Sequence, residues 1–228
     1  MASGSTGNAT KISDGVTSLL LDAGITINEL EKRTKFTLSN ISACFCTHEH
    51  ADHSKAIKDL AKRGIDIYAS KGTFTETKAV GHRFHVIFAL SVTTIGTFQV
   101  MAFDVRHDAA EPLGFLIESK ATGDKLVYFS DTAYIKYTFT GLTHIIAECN
   151  HGEHELQQSV QDGIISPKLA ARIAKTHMSI ERLLIFLESN DLSKLKAIHL
   201  IHMSDNNSNE IMFKQRVQQV TGTEVYVY

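Results

Sequence analysis

The chain has 228 residues, 43% of them hydrophobic, with two prolines and no tryptophan, which suits one domain with a sizeable core and excludes a linker-rich or low-complexity protein. Its formal charge of −2 and pI near 6.6 lack the basic surplus of a protein that tracks a nucleic-acid backbone, although a basic groove assembled in three dimensions stays open. No apolar run approaches the ~18 residues that span a membrane and no basic-then-apolar signal opens the chain, so the expectation is a cytoplasmic protein.

In chain order, residues 16–21 read as a strand ending in Asp22-Ala23-Gly24, and residues 41–46 as a buried strand. Cys44 and Cys46 alternate on that strand as small core residues; with Cys149 they make an odd count without metal-ribbon spacing. The strand runs into Thr47-His48-Glu49-His50-Ala51-Asp52-His53, where imidazoles and a carboxylate crowd together. His48 and His50 are two apart, so from an extended segment they project to one side and can grip one metal. Asp52 and His53 fall where the chain turns into a helix and can grip a second. Imidazole and carboxylate without thiolate suit zinc or another borderline divalent ion. The competing reading is a polar turn that happens to be rich in histidine.

Residues 52–64 then read as one amphipathic helix, with Ala56, Ile57, Leu60 and Ala61 on a shared face and Gly64 as its stop. A strand over 65–69 and a short helix over 73–79 follow. Residues 92–105 read as paired strands around Ile95-Gly96-Thr97, the second delivering His107. A strand over 115–118 precedes one over 125–130, which delivers Asp131. Ser166-Pro167 is an N-cap and first-turn proline for a helix over 168–175. A second helix covers 180–190, with Leu183, Leu184 and Leu187 as its core face. The strand over 197–201 delivers His202. Asn207 and Glu210 form a capping-box pattern for a helix to Val220, and residues 223–228 close with a strand. A His or Asp at one strand end is a weak signal. Several such ends beside the dense motif are a strong one.

This ordered set resembles the metallo-β-lactamase superfamily, in its phosphodiesterase and nuclease branch. The resemblance implies an αββα sandwich spanning residues 1–228 as a single domain. It implies that His48, His50 and His107 hold one metal, that Asp52, His53 and His202 hold a second, and that Asp131 bridges them. The ions implied are two divalent metals, Zn2+ first and Mn2+ as the alternative. Residues 2–8, Leu21-Asp22-Ala23-Gly24, Thr47-His48-Glu49-His50, residues 107–115 and Ser204-Asp205-Asn206-Asn207 are similar to the YycJ-type subfamily and its phage-borne relatives. Among those relatives are the anti-Pycsar enzymes, which destroy cyclic nucleotide signals. Relatives carry a short strand before the Ala-Ser-Gly-Ser loop; Met1 abuts that loop here, so the first sheet is expected to lack an edge strand or the start to be truncated.

His177, in Thr176-His177-Met178-Ser179, matches a His-x-Ser/Thr element that the branch sets against the scissile phosphate, which makes it the candidate acid beside Asp52 and Asp131. A local hydrogen-bonding role is the plainer alternative. His82 and His85 are expected at the surface flanking a strand, His144 and His199 as satisfied core histidines, and His151 and His154 on a polar loop. Glu111 is a candidate support for His107, and residues 3–8 a candidate phosphate loop or a tight turn.

The function expected from this set is hydrolysis of 3′,5′-cyclic mononucleotides, as in phage counter-defence. The alternatives are a YycJ-like DNA exonuclease and, more weakly, a non-catalytic metal-binding regulator. The charge balance favours a small anionic nucleotide held by the metals themselves. Nucleic acid is the partner under the second reading, a homodimer is compatible with both, and no membrane is involved.

Overall fold

A computed structural model describes residues 2–4 and 6–228; Ser5 of the N-terminal loop lies outside them. The fold is mixed α/β with two sheets and helices, as the αββα expectation requires. The chain divides into two compact units, Met1–Asp104 with Ala109–Asp124, and Val105–Asp108 with Lys125–Tyr228. No helix among the described residues is long and apolar enough to cross a membrane.

In the first unit, β1 (Thr10–Ser13), β2 (Ser18–Leu21), β3 (Ala43–Phe45), β4 (Asp66–Ala69) and β5 (Phe84–Val86) form a sheet in chain order. β1 and β2 are antiparallel and the rest parallel. The parallel pairs need crossovers, and α1 (Ile27–Arg33), α2 (Ala51–Ser54) with α3 (Ile57–Lys62), and α4 (Lys71–Thr77) supply them. Leu20, Leu30, Cys44, Ile57, Leu60 and Ile67 pack between strands and helices as the core. β6 (Val92–Ile95), β7 (Phe98–Asp104) and β8 (Leu113–Ser119) follow as an antiparallel meander. β1, from residues after the N-terminal loop, lies at one edge of this sheet.

In the second unit, β9 (Lys125–Phe129), β10 (His144–Glu148), β11 (Ala197–Ile201) and β12 (Glu224–Val227) are all parallel, in the order β12-β11-β10-β9. Four helices accompany them: α5 (Glu153–Gln161), α6 (Pro167–Thr176), α7 (Ile180–Glu188) and α8 (Glu210–Thr221). Parallel strands bury both faces, so the polar groups of the unit collect where the strands end.

Several expectations need correction. The helix expected over 52–64 is two short ones, because the Ala56 N–H bonds to the Ala23 carbonyl at 2.8 Å and leaves the helical ladder. α4 begins earlier than expected, since Ser70 caps it through the Thr73 N–H. The cap of α8 is Asn209, which accepts from Met212, while Asn207 donates to Ser204 instead. His144 and His199 are half-buried rather than core; His144 meets the Thr143 hydroxyl at 2.9 Å and His199 stacks on Tyr226. His85 lies inside β5 against Asp66 and Tyr68. His151 is not on a polar loop. It is buried, bridges to Ser179, and its Nδ1 has no hydrogen-bond partner among the described residues. His154 is exposed on α5. Glu111 accepts from the Gly72 N–H at 2.9 Å and so secures the start of α4.

Candidate metal centre

In the first unit the motif follows β3, and His50 is the residue just before α2. His48 and His53 are buried, while His50 and Asp52 are partly exposed. The His48 ring lies 4.6 Å from that of His50 and 4.2 Å from that of His53, between centroids. Asp52 Oδ2 is 3.6 Å from His53 Nε2. All four side chains are gathered at one strand end.

His53 is held there by a carboxylate that the ligand pattern left out. Asp22 directly follows β2 with φ +61 and is fully buried. Its Oδ1 accepts from the Thr47 N–H at 2.8 Å and the Thr47 hydroxyl at 2.9 Å, and its Oδ2 sits 2.9 Å from His53 Nδ1. A carboxylate only accepts, so Nδ1 carries the ring hydrogen and Nε2 carries the lone pair. Asn8 Nδ2 lies 3.0 Å from that Nε2 and also reaches the carbonyls of Gly4 and Asp52, at 3.1 and 3.3 Å. The amide keeps partners if a cation takes the Nε2 lone pair. The approach is close: a Cβ on Gly24 would fall 1.6 Å from the Asp52 carbonyl oxygen. Of the candidate phosphate loop, Gly4 and Asn8 are bonded to each other, which supports the tight-turn alternative.

In the second unit, Asp131 lies two residues beyond β9 with φ +49 and His202 directly follows β11 with φ +54. Left-handed backbone at residues other than glycine costs ~1–3 kcal/mol each and is tolerated where surrounding structure enforces it. His107 Nδ1 is 2.9 Å from the Thr176 carbonyl, which can only accept, so its Nε2 also bears the lone pair. That Nε2 faces Asp131 Oδ2 at 3.6 Å and Asp108 Oδ1 at 3.3 Å. Burial pushes His107 down and outweighs the Asp131 charge, so it lies below the ordinary histidine value. An imidazole nitrogen set against two carboxylates is a donor arrangement that suits a divalent cation.

Glu148 is the second functional residue absent from the ligand pattern. It ends β10 and is fully buried. Its Oε1 lies 2.6 Å from His177 Nδ1 and 3.1 Å from His202 Nδ1, and its Oε2 accepts from the N–H groups of Thr132 and Met178. Burial pushes this carboxyl up, but the His177 charge and the bonds from His177 and His202 outweigh it and hold the group below the ordinary carboxylate range. Burial likewise pushes His177 down, and the Glu148 charge more than reverses it, so His177 is raised. Asp131, Glu148, His177 and His202 each offer a ligand atom within 4.8 Å of the others. A hydrophobic run closing on a carboxylate, as in β10, carries the same signal as the strands before His107, Asp131 and His202.

The donor sets of both units fit divalent cations: imidazoles with one nitrogen fixed by a carboxylate or carbonyl, and carboxylates beside them.

A family model described as "Beta-lactamase superfamily domain" matches residues 17–203. The chain is 28% identical to exodeoxyribonuclease YycJ of Bacillus anthracis, over 96% of this chain and 87% of that protein. It is 27% identical to exodeoxyribonuclease WalJ of Streptococcus pneumoniae, over 100% of this chain and 89% of that one. Among solved structures, the metallo-beta-lactamase fold protein YhfI from Bacillus subtilis is similar with a TM-score of 0.74 at 16% identity, covering 100% of this chain and 91% of that one.

Proposed function

The chain belongs to the Beta-lactamase superfamily domain family, and from that premise we propose that it is a dinuclear metal-dependent phosphodiesterase acting on DNA, an exodeoxyribonuclease. Residues 1–228 act as one catalytic domain. His48, His50 and His107 would hold one ion and Asp52, His53 and His202 the other, with Asp131 contributing to both; zinc is the ion proposed, with manganese as substitute. When bound, such a pair supplies Lewis acidity to the phosphoryl oxygens and an activated water.

The observation that carries the phosphodiester chemistry is His177 held 2.6 Å from Glu148 and 4.0 Å from Asp131. Glu148 favours the charged form of the His177 imidazole and aims the ring, so Nε2 can give a proton to the departing sugar oxygen. Thr132 and Met178 fix Glu148 in turn through their N–H groups. Asp22 fixes His53 in the same manner. The choice of DNA rests on the two exodeoxyribonucleases, which match nearly the whole chain.

A second reading, hydrolysis of 3′,5′-cyclic mononucleotides, is favoured by the net charge of −2. The deciding experiment is a turnover panel of end-labelled single- and double-stranded DNA, cyclic mononucleotides and cyclic dinucleotides, with zinc or manganese added. Stepwise release of nucleotides from DNA ends is expected. Turnover of cyclic mononucleotides with intact DNA would replace the nuclease reading with the second one.

A further inference from the structure

The second unit carries a cleft of about 490 Å3 that none of the proposed metal ligands lines. Its walls include Arg106, Tyr134, Ile135, Lys175, Arg182 and Ile185, and no carboxylate is among its lining residues. In a chain with 23 Lys and Arg against 25 Asp and Glu, a surface with three cations and no acid is a local reversal of sign.

The wall is built rather than incidental. Arg182 is half-buried, and its Nη1 donates to the carbonyls of Ala133 at 3.1 Å and Ala174 at 2.9 Å, which fixes the guanidinium without neutralising it. Arg106 lies over the Tyr134 ring, 5.7 Å from its centroid, and Tyr134 is 44% exposed. Cationic side chains beside an exposed aromatic ring are the means by which proteins hold unpaired nucleotides, phosphate to cation and base to ring.

The cleft's position ties it to the proposed chemistry. Arg106 directly precedes His107, Ala133 and Tyr134 closely follow Asp131, and Lys175 shortly precedes His177. With 3.8 Å between successive Cα atoms, these lining residues lie within about 11 Å of a proposed site residue. At ~3.4 Å of rise per nucleotide in a strand, that is a reach of roughly three nucleotides. A cyclic mononucleotide has one phosphate, which the metals would take, and offers nothing for three further cations. A polymer does.

Resting on the nuclease reading, we propose that this cleft binds the nucleotides flanking the scissile phosphate of a single DNA strand. Arg106, Lys175 and Arg182 receive the phosphates, Tyr134 stacks on a base, and Ile135 and Ile185 form the apolar floor.

The test uses the full chain and a fluorescein-labelled eight-nucleotide single strand, with binding followed by anisotropy in EDTA from 50 to 200 mM salt. Arg106→Ala/Lys175→Ala is expected to weaken binding at least tenfold at low salt. It should also flatten the log–log salt slope by about 1.4, for two lost phosphate contacts on a single strand. Tyr134→Ala should lose roughly fivefold to a hundredfold, and Tyr134→Phe should keep most of the affinity. Thermal melting identifies variants that remain folded, and Lys175→Glu, at an exposed position, provides a second probe of the charge. Unchanged affinity and slope in folded variants, while the unaltered protein binds and degrades the strand, would overturn the cleft and leave the nuclease reading standing. An unaltered protein that hydrolyses cyclic mononucleotides and neither binds nor degrades the strand would overturn both.

Discussion

Asp22 and His53 stand 31 residues apart in the chain, yet Asp22 Oδ2 lies 2.9 Å from His53 Nδ1 with both side chains fully buried. The pair sets which ring nitrogen is left for a metal. Replacing Asp22 with Ala removes that constraint and leaves Thr47 and His53 without their shared acceptor. Metal affinity is expected to fall ~10–100-fold, measured by competition with a chromophoric chelator. An unchanged affinity in a folded variant would show that His53 needs no such partner.

The proposed ligand set would hold two divalent ions per chain. Elemental analysis of protein purified without chelator, then loaded with zinc or manganese, should return two. Asp131→Ala removes the shared carboxylate and should lower the count and abolish hydrolysis together. A count of one or none in the loaded, unaltered protein would sink the dinuclear proposal.

His177 is expected to act on the leaving group and not as a ligand. His177→Ala should therefore keep both metals and lose ~10²–10⁴-fold in rate. Substrates with a good leaving group, such as a 4-nitrophenyl phosphodiester, should lose much less, because they need no proton. Equal losses on both substrates would return His177 to a local hydrogen-bonding role.

Asp14 supplies a pH test away from the metals. Burial pushes its carboxyl up, but bonds from Thr97, Ser119, Thr17 and Val16 outweigh this and hold it well below the ordinary range. A lowered folded value means that its stabilisation is fully present above the unfolded value of ~3.9 and is lost as pH falls through the folded value. Asp14→Asn should cost ~1–2 kcal/mol at neutral pH. Urea unfolding should show that difference constant from pH 7 to about 5 and shrinking below about 4. A difference that grows in acid would contradict the assignment.

Local pattern carried much of this protein. Hydrophobic runs closing on His107, Asp131 and His202 are strands β7, β9 and β11, or end within a few residues of them, because a strand's burial is set by its own side chains. The motif His48-Glu49-His50-Ala51-Asp52-His53 sets its side chains at one strand end through its own spacing, and Asp22 then orients His53. Ser166 capped α6 as expected, since a cap acts within one turn.

Tertiary structure alone decided what acts across the chain. Asp22 and Glu148 became the groups that orient histidines only when folding set them against residues 29 to 54 positions away. The left-handed backbone of Asp22, Asp131 and His202 is imposed by their surroundings, for none of these residue types requires it. The single helix expected over 52–64 broke because Ala23, on another segment, took an amide bond from its ladder. Net charge is a sum without positions, so −2 for the whole chain could not reveal that Arg106, Lys175 and Arg182 share one wall with no carboxylate. Electrostatic attraction falls off within ~8–10 Å in salt, and the field a substrate meets is therefore set by which charges folding places side by side.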